Sequence, residues 1–189
     1  MDFANRSTMR MTDGGNGCAP LCAFLLVLGC LALAQPCLAG GPIDDDPGQD
    51  IIEKSEALRP GQYTWAGEGE EYVQDGPVLV VVFLGSQRAR IYRGGFLIGI
   101  TTISSGKRGH RTPTGMFSIL QKKRFHRSNL YDDAPMPFML RLTWDGLAIH
   151  GGVLPGYPAS HGCIRIPTAF ARKLFGIVTF DASVVVTEQ

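Results

Sequence analysis

The residues of this chain best suited to chemistry lie between His150 and Arg165. They are the histidines His150 and His161, the cysteine Cys163 and Arg165 itself. A cysteine thiolate is a strong nucleophile, and a nearby imidazolium lowers a thiol pKa from about 8.5 to between about 3.5 and 7.5. An arginine fork binds carboxylates through two parallel hydrogen bonds. This segment therefore predicts covalent catalysis by Cys163 on a substrate that carries a carboxylate.

The spacing of these residues predicts a strand with one reactive face. If residues 161–166 are extended, the two-residue period puts His161, Cys163 and Arg165 on one face. The remaining positions, which include two isoleucines, then face the core. His150 ends a different predicted strand, so we expect it to approach Cys163 from a neighbouring strand as the general base. His161 would polarise the thiol or position the substrate.

The glycine before the cysteine leaves the backbone open to a substrate, so we expect the amides of Gly162 and Cys163 to form an oxyanion hole. Two other interpretations stay open from the residues alone. The two histidines and the cysteine could bind zinc, although no fourth ligand accompanies them. Arg165 could form an ion pair with Asp145 or Asp181 instead of binding substrate.

The chain from residue 78 onward has the pattern of short strands. A hydrophobic share of 44% with 19% charged residues excludes wholesale disorder. Runs rich in β-branched residues predict strands near residues 78–84, 89–93, 96–104, 116–121, 138–142, 147–149 and 184–186. Residues 167–175 alone have a helical pattern, with proline in the first turn and Gly176 as the stop. The prediction is a mainly β fold, a mixed β-sandwich or partly open barrel with one short helix.

The first 39 residues have the pattern of an export signal. Two arginines precede an apolar run over residues 21–34, and small residues suited to cleavage follow. We predict a signal peptide over residues 1–39 and a mature protein in the periplasm or cell envelope, with an uncleaved membrane anchor as the alternative. Removal of the signal leaves Cys163 without another cysteine, so a disulfide does not explain it.

A step in charge divides the mature chain. Residues 40–77 hold ten acidic and two basic residues, a net charge of −8. We predict an acidic linker there, with its 59–77 part docking on the domain through Tyr63 and Trp65. Residues 78–189 hold five acidic and fourteen basic residues, a net charge of +9. Because these basic residues are not interleaved with an aromatic platform, we expect no nucleic-acid partner and favour carboxylate-rich envelope material.

The segment SHGCIR at residues 160–165 resembles the catalytic motif of the L,D-transpeptidase catalytic domain family, the YkuD or ErfK/YbiS type. The resemblance covers about residues 78–189. It extends to SGK at 105–107, TPTGMF at 112–117, MPF at 136–138 and HG at 150–151. It implies a β-rich catalytic domain, residues 78–189, that acts on peptidoglycan stem peptides.

The position of each residue in these motifs implies its role. Cys163 would be the nucleophile and His150 the base, oriented by the carbonyl of Gly151. His161, Gly162 and Cys163 would supply oxyanion donors. The expected substrate-binding residues are Arg165, Ser160 and Tyr157, with Arg165 contacting a carboxylate. The resemblance implies no metal and no organic cofactor.

The implied reaction is a transpeptidation. Cys163 would attack the carbonyl before the terminal D-Ala of a tetrapeptide stem, form a thioester, and pass it to an amine acceptor on another stem or on an envelope protein. One alternative is an L,D-carboxypeptidase or endopeptidase that gives the same thioester to water. Another is a catalytically silent envelope-binding module. Only nine residues, 151–159, separate the first histidine from the SHGC motif, fewer than in many relatives, which leaves transfer and hydrolysis both open.

Overall fold

The computed structural model of the chain describes residues 47–66, 75–180 and 182–189. The predicted signal peptide lies outside these residues, as does the start of the predicted linker. No helix in this described part is long and apolar enough to cross a membrane. The elements, in chain order, are α1 (Pro47–Glu56), β1 (Tyr63–Trp65), β2 (Val78–Phe83), β3 (Arg88–Arg93), β4 (Phe96–Thr102), β5 (Gly115–Ser118), β6 (Gln121–Lys123), β7 (Met139–Arg141), β8 (Ala148–Gly151), β9 (Ile164–Ile166), α2 (Thr168–Ile177) and β10 (Ser183–Thr187).

Six strands form the larger sheet, in the order β1-β4-β3-β2-β10-β5. Strands β2 and β10 run parallel, and the other neighbours pair antiparallel. Alternate residues of β2 are buried, among them Val80 and Val82, because successive side chains point to opposite faces of a sheet. The strands predicted between residues 78 and 104 are therefore present as β2, β3 and β4.

Four strands form the smaller sheet, in the order β6-β7-β8-β9. Strands β8 and β9 run parallel, and the other pairs are antiparallel. The backbones of Ser104 and Arg165 exchange hydrogen bonds of 2.9 and 3.0 Å, which join the chain just after β4 to β9. Two sheets with few helices, and no closed barrel among the described strands, confirm the mainly β prediction.

One buried apolar cluster joins both sheets to α2. Its members that are no more than 1% exposed include Val80, Val82, Ile91, Ile149, Ile164, Phe170 and Leu174. Helix α2 follows Pro167, and its buried side chains at 170, 171 and 174 lie on one face because they are spaced by about one turn. The smaller sheet is thus held against the larger one through apolar packing on its rear face.

Residues of the predicted acidic linker take part in this packing. Strand β1 pairs with β4, and the rings of Tyr63 and Trp65 each contact Phe170 edge-on at 5.2 Å between centroids. Such aromatic pairs add to the stabilisation that burial of apolar surface supplies. The two aromatic residues that the sequence singled out therefore lie against α2.

Helix α1 is a second helix that the sequence analysis does not predict. Ile51 and Ser55 are buried, and the guanidinium of Arg88 on β3 donates to the carbonyl oxygen of Ser55 at 2.6 Å. Positive charge at the C-terminal end of a helix is stabilising. Sequence analysis missed the helix because the α1 segment is acidic and because the contact that stabilises it comes from Arg88, far along the chain.

The strand predicted over residues 116–121 is two strands in different sheets. Strand β5 belongs to the larger sheet and β6 to the smaller one. Between them Ile119 is 1% exposed and its amide donates to Ala182, whereas the next amide, of Leu120, donates to Arg141. The single-strand prediction was wrong because the backbone changes hydrogen-bonding partners at this point while staying extended.

Phe170→Ala should lower the free energy of unfolding by about 3–5 kcal/mol, because the ring is fully buried and supports Tyr63 and Trp65. Urea denaturation followed by tryptophan fluorescence and circular dichroism would measure the change. Phe180→Ala is the matched control, since that ring is 62% exposed and its loss should cost less than about 0.5 kcal/mol. Equal losses in the two variants would contradict this packing.

Candidate active site

The pairing register of the smaller sheet places the predicted site residues in two neighbouring rows on one face. Paired residues on adjacent strands point to the same side of a sheet. Extending the observed pairs by one residue gives Gln121, Arg141, Ala148 and Cys163 in the first row, and Met139, His150 and Arg165 in the second. The other face carries the buried residues Leu140, Ile149, Ile164 and Ile166. Cys163 and Arg165 thus lie opposite the core.

Cys163 is partly exposed and precedes β9. It packs on the small apolar cluster of Met136, Met139 and Ala148. Its thiol donates a hydrogen bond to the carbonyl oxygen of Gly146 at 3.4 Å. Burial raises the pKa of the Cys163 thiol, although a backbone hydrogen bond and two nearby arginines act in the opposite direction.

His150 lies on β8 with 7% of its surface exposed. Its Nδ1 is 2.9 Å from the carbonyl oxygen of Gly151, whose own amide donates to Pro137 at 2.8 Å. A carbonyl only accepts, so Nδ1 carries the proton and Nε2 keeps its lone pair. Burial lowers the pKa of His150 to about 4; the Gly151 carbonyl opposes this shift, and the charge of Arg165 adds to it. At neutral pH the imidazole is therefore an uncharged base.

The resting charge of this pair differs from the sequence expectation. An imidazolium was expected to lower the thiol pKa, but burial raises the pKa of Cys163 and lowers that of His150. Both shifts favour the neutral thiol and the neutral imidazole, because each charged form would lose hydration. The resting site therefore holds no charge on either group.

His161 lies on the loop before β9, not on the strand itself. Strand β9 begins at Ile164, and Gly162 has a φ of 117°, which favours glycine and breaks the expected alternation. The His161 ring stacks on Tyr131 with 4.4 Å between centroids, and its Nε2 is 3.0 Å from the Lys107 ammonium. An ammonium only donates, so Nε2 accepts and is not placed to take the thiol proton.

Ser160 holds this loop through its hydroxyl, which donates to the carbonyl of Cys163 and accepts from the amide of Gly162 at 3.1 Å. The carbonyl of Gly162 accepts from Thr112 Oγ1 at 2.7 Å, and Thr112 Oγ1 accepts from the amide of Gly106 at 2.9 Å. Thr112, the first residue of the TPTG segment, therefore supports the loop that holds Gly162 and precedes β9. The Gly162 amide, predicted as an oxyanion donor, is already engaged by Ser160 in this structure.

The aliphatic stem of Arg165 lies against Gly152, where an added Cβ would be 3.5 Å from its Cδ. No salt bridge to Arg165 occurs among the described residues. Asp145, one of the alternative partners, accepts a hydrogen bond from the Thr143 hydroxyl, and Asp181 lies outside the described residues. Arg165 therefore has no acidic partner among the described residues, and its pairing with Asp181 stays a prediction.

Cys163 lies at the junction of two cavities. The Arg141 cavity, about 220 Å³, has Arg141, Asp145, Gly146 and Ala148 in its lining. The Arg165 cavity, about 460 Å³, has His150, Gly151, Gly152 and Arg165 in its lining. Cys163, His161 and Tyr131 line both, and Tyr131 comes from the loop that connects β6 to β7. A substrate can therefore reach the sulfur from two sides.

Tyr157, one of the predicted substrate-binding residues, lies apart from this arrangement. It is 62% exposed and lines neither cavity, and its carbonyl accepts a hydrogen bond from Ser104 at 2.7 Å. The loop turns the ring outward, so the structure does not bring Tyr157 to the cysteine, and its role in substrate binding stays a prediction. The part of the chain that the structure describes contains no group of three or more His, Cys, Asp or Glu side chains that could hold a metal ion.

The YkuD family model, which describes the L,D-transpeptidase catalytic domain, matches residues 77–186. This chain belongs to that family. No curated protein matches the chain. The sequence resemblance to the L,D-transpeptidase catalytic domain is thereby confirmed.

Solved L,D-transpeptidase structures have a similar fold. L,D-transpeptidase 3 from Mycobacterium tuberculosis gives a TM-score of 0.55 at 21% identity over 59% of this chain and 61% of that chain. An enzyme from Mycobacterium smegmatis gives 0.53 at 23% over 59% and 58%. One from Xylanimonas cellulosilytica gives 0.55 at 24% over 74% and 69%. The alignment thus spans less than two thirds of the two mycobacterial chains, and at these identities the likeness concerns the fold.

The L,D-transpeptidase fold brings three residues to the site that sequence reasoning did not select. Lys107 and Tyr131 contact His161, and Arg141 lines a cavity together with Cys163. Lys107 could have been found from the sequence, since it lies in the SGK motif at residues 105–107. Arg141 could also have been found, since it is the one charged residue in the apolar run 138–142. No sequence pattern pointed to Tyr131, because its position depends on the path of the long loop between β6 and β7.

Alkylation of Cys163 should proceed with a pH midpoint above that of an ordinary cysteine, about 8.5, because burial raises the pKa of this thiol. The rate with iodoacetamide, followed on the Cys163 peptide by mass spectrometry at several pH values, measures the midpoint. N-acetylcysteine in the same tube is the reference. A midpoint below that of N-acetylcysteine would support a thiolate–imidazolium pair and contradict a neutral thiol beside a neutral imidazole.

The buried neutral His150 should make stability depend on pH. Its pKa is about 4 folded and 6.5 unfolded, so the unfolded chain binds more protons between these values. The free energy of unfolding should therefore fall by about 3 kcal/mol as pH decreases from about 6.5 to about 4. His150→Gln lacks this contribution, so the difference between wild type and variant in urea denaturation isolates it. A difference independent of pH would count against a neutral buried imidazole.

Proposed function

We propose that this protein is a peptidoglycan L,D-transpeptidase in which Cys163 is the nucleophile and His150 the general base. The observation that carries the proposal is that a neutral His150 and Cys163 line the same cavity. Membership of the L,D-transpeptidase catalytic domain family supports the reaction class. The donor is a stem tetrapeptide that ends in D-Ala.

The first half-reaction forms a thioester. As the sulfur attacks the carbonyl carbon before D-Ala, its proton passes to Nε2 of His150, and the hydrogen bond from Nδ1 to Gly151 stabilises the imidazolium. The C–N bond then breaks, and the D-Ala amine leaves with the proton from Nε2. The imidazole is neutral again at the end of this step.

The oxyanion of each tetrahedral intermediate needs hydrogen-bond donors beside the sulfur. Because the Gly162 amide donates to Ser160, we assign this role to the backbone amides of His161 and Cys163. Ser160 then acts by fixing the turn that presents them. Lys107 and Tyr131 hold the His161 ring, and so restrain the same turn from the side chain.

The second half-reaction passes the thioester to an amine. The amine attacks the thioester carbonyl, its proton goes to His150 and then to the departing sulfur, and a new peptide bond replaces the thioester. Two cavities that meet at Cys163 give the acyl chain and the incoming amine separate approaches. This arrangement favours transfer over hydrolysis by water.

The acceptor is an amine of another stem peptide or of an envelope protein. The predicted signal peptide would take the protein across the inner membrane to the periplasm or cell envelope, where peptidoglycan lies. The net charge of +9 on residues 78–189 favours association with carboxylate-rich envelope material. The thiol and the imidazole suffice for the steps above.

A labelled tetrapeptide donor, with and without an amine acceptor, tests the proposal by mass spectrometry. Wild type should release D-Ala, show a thioester on Cys163 and yield the cross-linked product when the acceptor is present. Cys163→Ala should release no D-Ala, and His150→Gln should slow release by about 10²- to 10⁴-fold, the usual contribution of a general base.

Ser183→Ala is the control for these variants, since it removes an exposed side chain from β10 in the larger sheet. It should release D-Ala at the wild-type rate. Release that yields only hydrolysed product with every acceptor would assign the carboxypeptidase reaction instead. D-Ala release by Cys163→Ala at the wild-type rate would refute the enzymatic proposal.

A further inference from the structure

Arg141 stands in the same row of the smaller sheet as the nucleophile. Strand β7 places it beside Ala148, and Ala148 lies beside Cys163 on the next strand. Alanine has no side chain beyond Cβ, so nothing from β8 fills the space between the guanidinium and the sulfur. That space is part of the Arg141 cavity, which both residues line.

The guanidinium of Arg141 is held from the side away from the sulfur. Its Nε donates to Gln121 Oε1 at 3.1 Å, and its Cζ lies 5.9 Å from the centre of the Trp144 ring. These contacts restrain the stem of the side chain. No salt bridge to Arg141 occurs among the described residues, so the terminal nitrogens can bind a carboxylate through the two-pronged geometry that arginine favours.

The charges around the Arg141 cavity favour an anion with an amine next to it. Arg111 and His126 also line the cavity. Asp145 is the single acidic residue among the described lining residues, and it accepts from the Thr143 hydroxyl. The carbonyl of Gly146, within hydrogen-bond reach of the Cys163 sulfur, is an acceptor suited to an amine N–H.

We propose that Arg141 is a specificity-determining residue that binds the α-carboxylate of the amino acid leaving from, or attacking, the acyl group on Cys163. The inference rests on the proposed function and deepens it. The departing and the attacking amine occupy the same position relative to the thioester, because transfer is the reverse of acylation with a different amine. Of the acceptors considered above, Arg141 therefore favours a stem peptide or a free amino acid with an amine and a carboxylate on the same carbon over a protein amine, which has no such carboxylate.

The role of Arg141 is separate from that of Arg165. Arg165 lines the larger cavity beside His150, on the other side of the sulfur. One strand, β8, lies between Arg141 and Cys163 along the row, so the two residues are two interstrand spacings of about 4.8 Å apart. A small amino acid bridges this span, and a long peptide exceeds it. The larger cavity is left for the acyl chain of the stem.

The test compares substrates with and without the carboxylate. Donors ending in D-Ala or D-alaninamide report the leaving side through the rate of thioester formation. D-methionine and D-methioninamide report the acceptor side through the ratio of aminolysis to hydrolysis, which does not depend on how fast the thioester forms. Wild type should prefer the carboxylate form on both sides.

Arg141→Gln should lower thioester formation from the D-Ala donor, and the aminolysis ratio with D-methionine, by about 10- to 100-fold, the loss expected for a charge-assisted pair. Both amide substrates should stay within about twofold of their wild-type values. Arg141→Lys, which keeps the charge without the fork, should restore part of the preference. Arg90→Gln is the matched control, because Arg90 lies over the Phe83 ring on the larger sheet and its loss should change neither preference.

Equal losses with acid and amide substrates in Arg141→Gln would overturn the inference and leave the proposed transpeptidation standing, since that result describes a structural side chain. An unchanged preference for the carboxylate would overturn it as well. A wild-type protein that forms no thioester with any donor would overturn both. Arg141→Lys keeps the test valid if Arg141→Gln does not fold.

Discussion

Parallel pairing of β8 with β9 decides which side chains surround the sulfur. It places His150 beside Arg165 and sets Cys163 beside Ala148 on the same face. A slip of one residue would exchange the reactive and the buried faces, so the isoleucines of β9, which are buried against the core, also hold the register of the active site.

Burial then determines how the two reactive groups share a proton. A site sheltered enough to keep water from a thioester is also one in which a resting thiolate and imidazolium are costly. The hydrogen bond from His150 Nδ1 to the Gly151 carbonyl compensates in part, because it fixes the tautomer and favours the imidazolium when it forms. In the resting protein the Cys163 thiol and the His150 imidazole are thus both uncharged, and in the proposed mechanism charge develops only as a bond to substrate forms.

Two arginines on either side of Cys163 line two different cavities. Arg165 uses the open space that Gly152 leaves for its stem, and Arg141 uses the gap left by Ala148. Tyr131, stacked on His161, lines both cavities and comes from the loop between β6 and β7. Small residues beside large cationic ones are therefore as much a part of the site as the charged groups themselves.

Local patterns determined much of this protein. The alternation of Cys163 and Arg165 with isoleucines, the order of the motifs and the β-rich composition were enough to predict a mainly β L,D-transpeptidase fold. They could not predict that α1 forms, because its C-terminal charge comes from Arg88, or that residues 116–121 divide between two sheets. They also did not include the burial that raises the pKa of Cys163, and they did not select Arg141. These features depend on burial and on contacts with strands that are distant along the chain. Desolvation of a side chain and the register between strands are defined only in the packed tertiary structure, so local sequence patterns do not contain them.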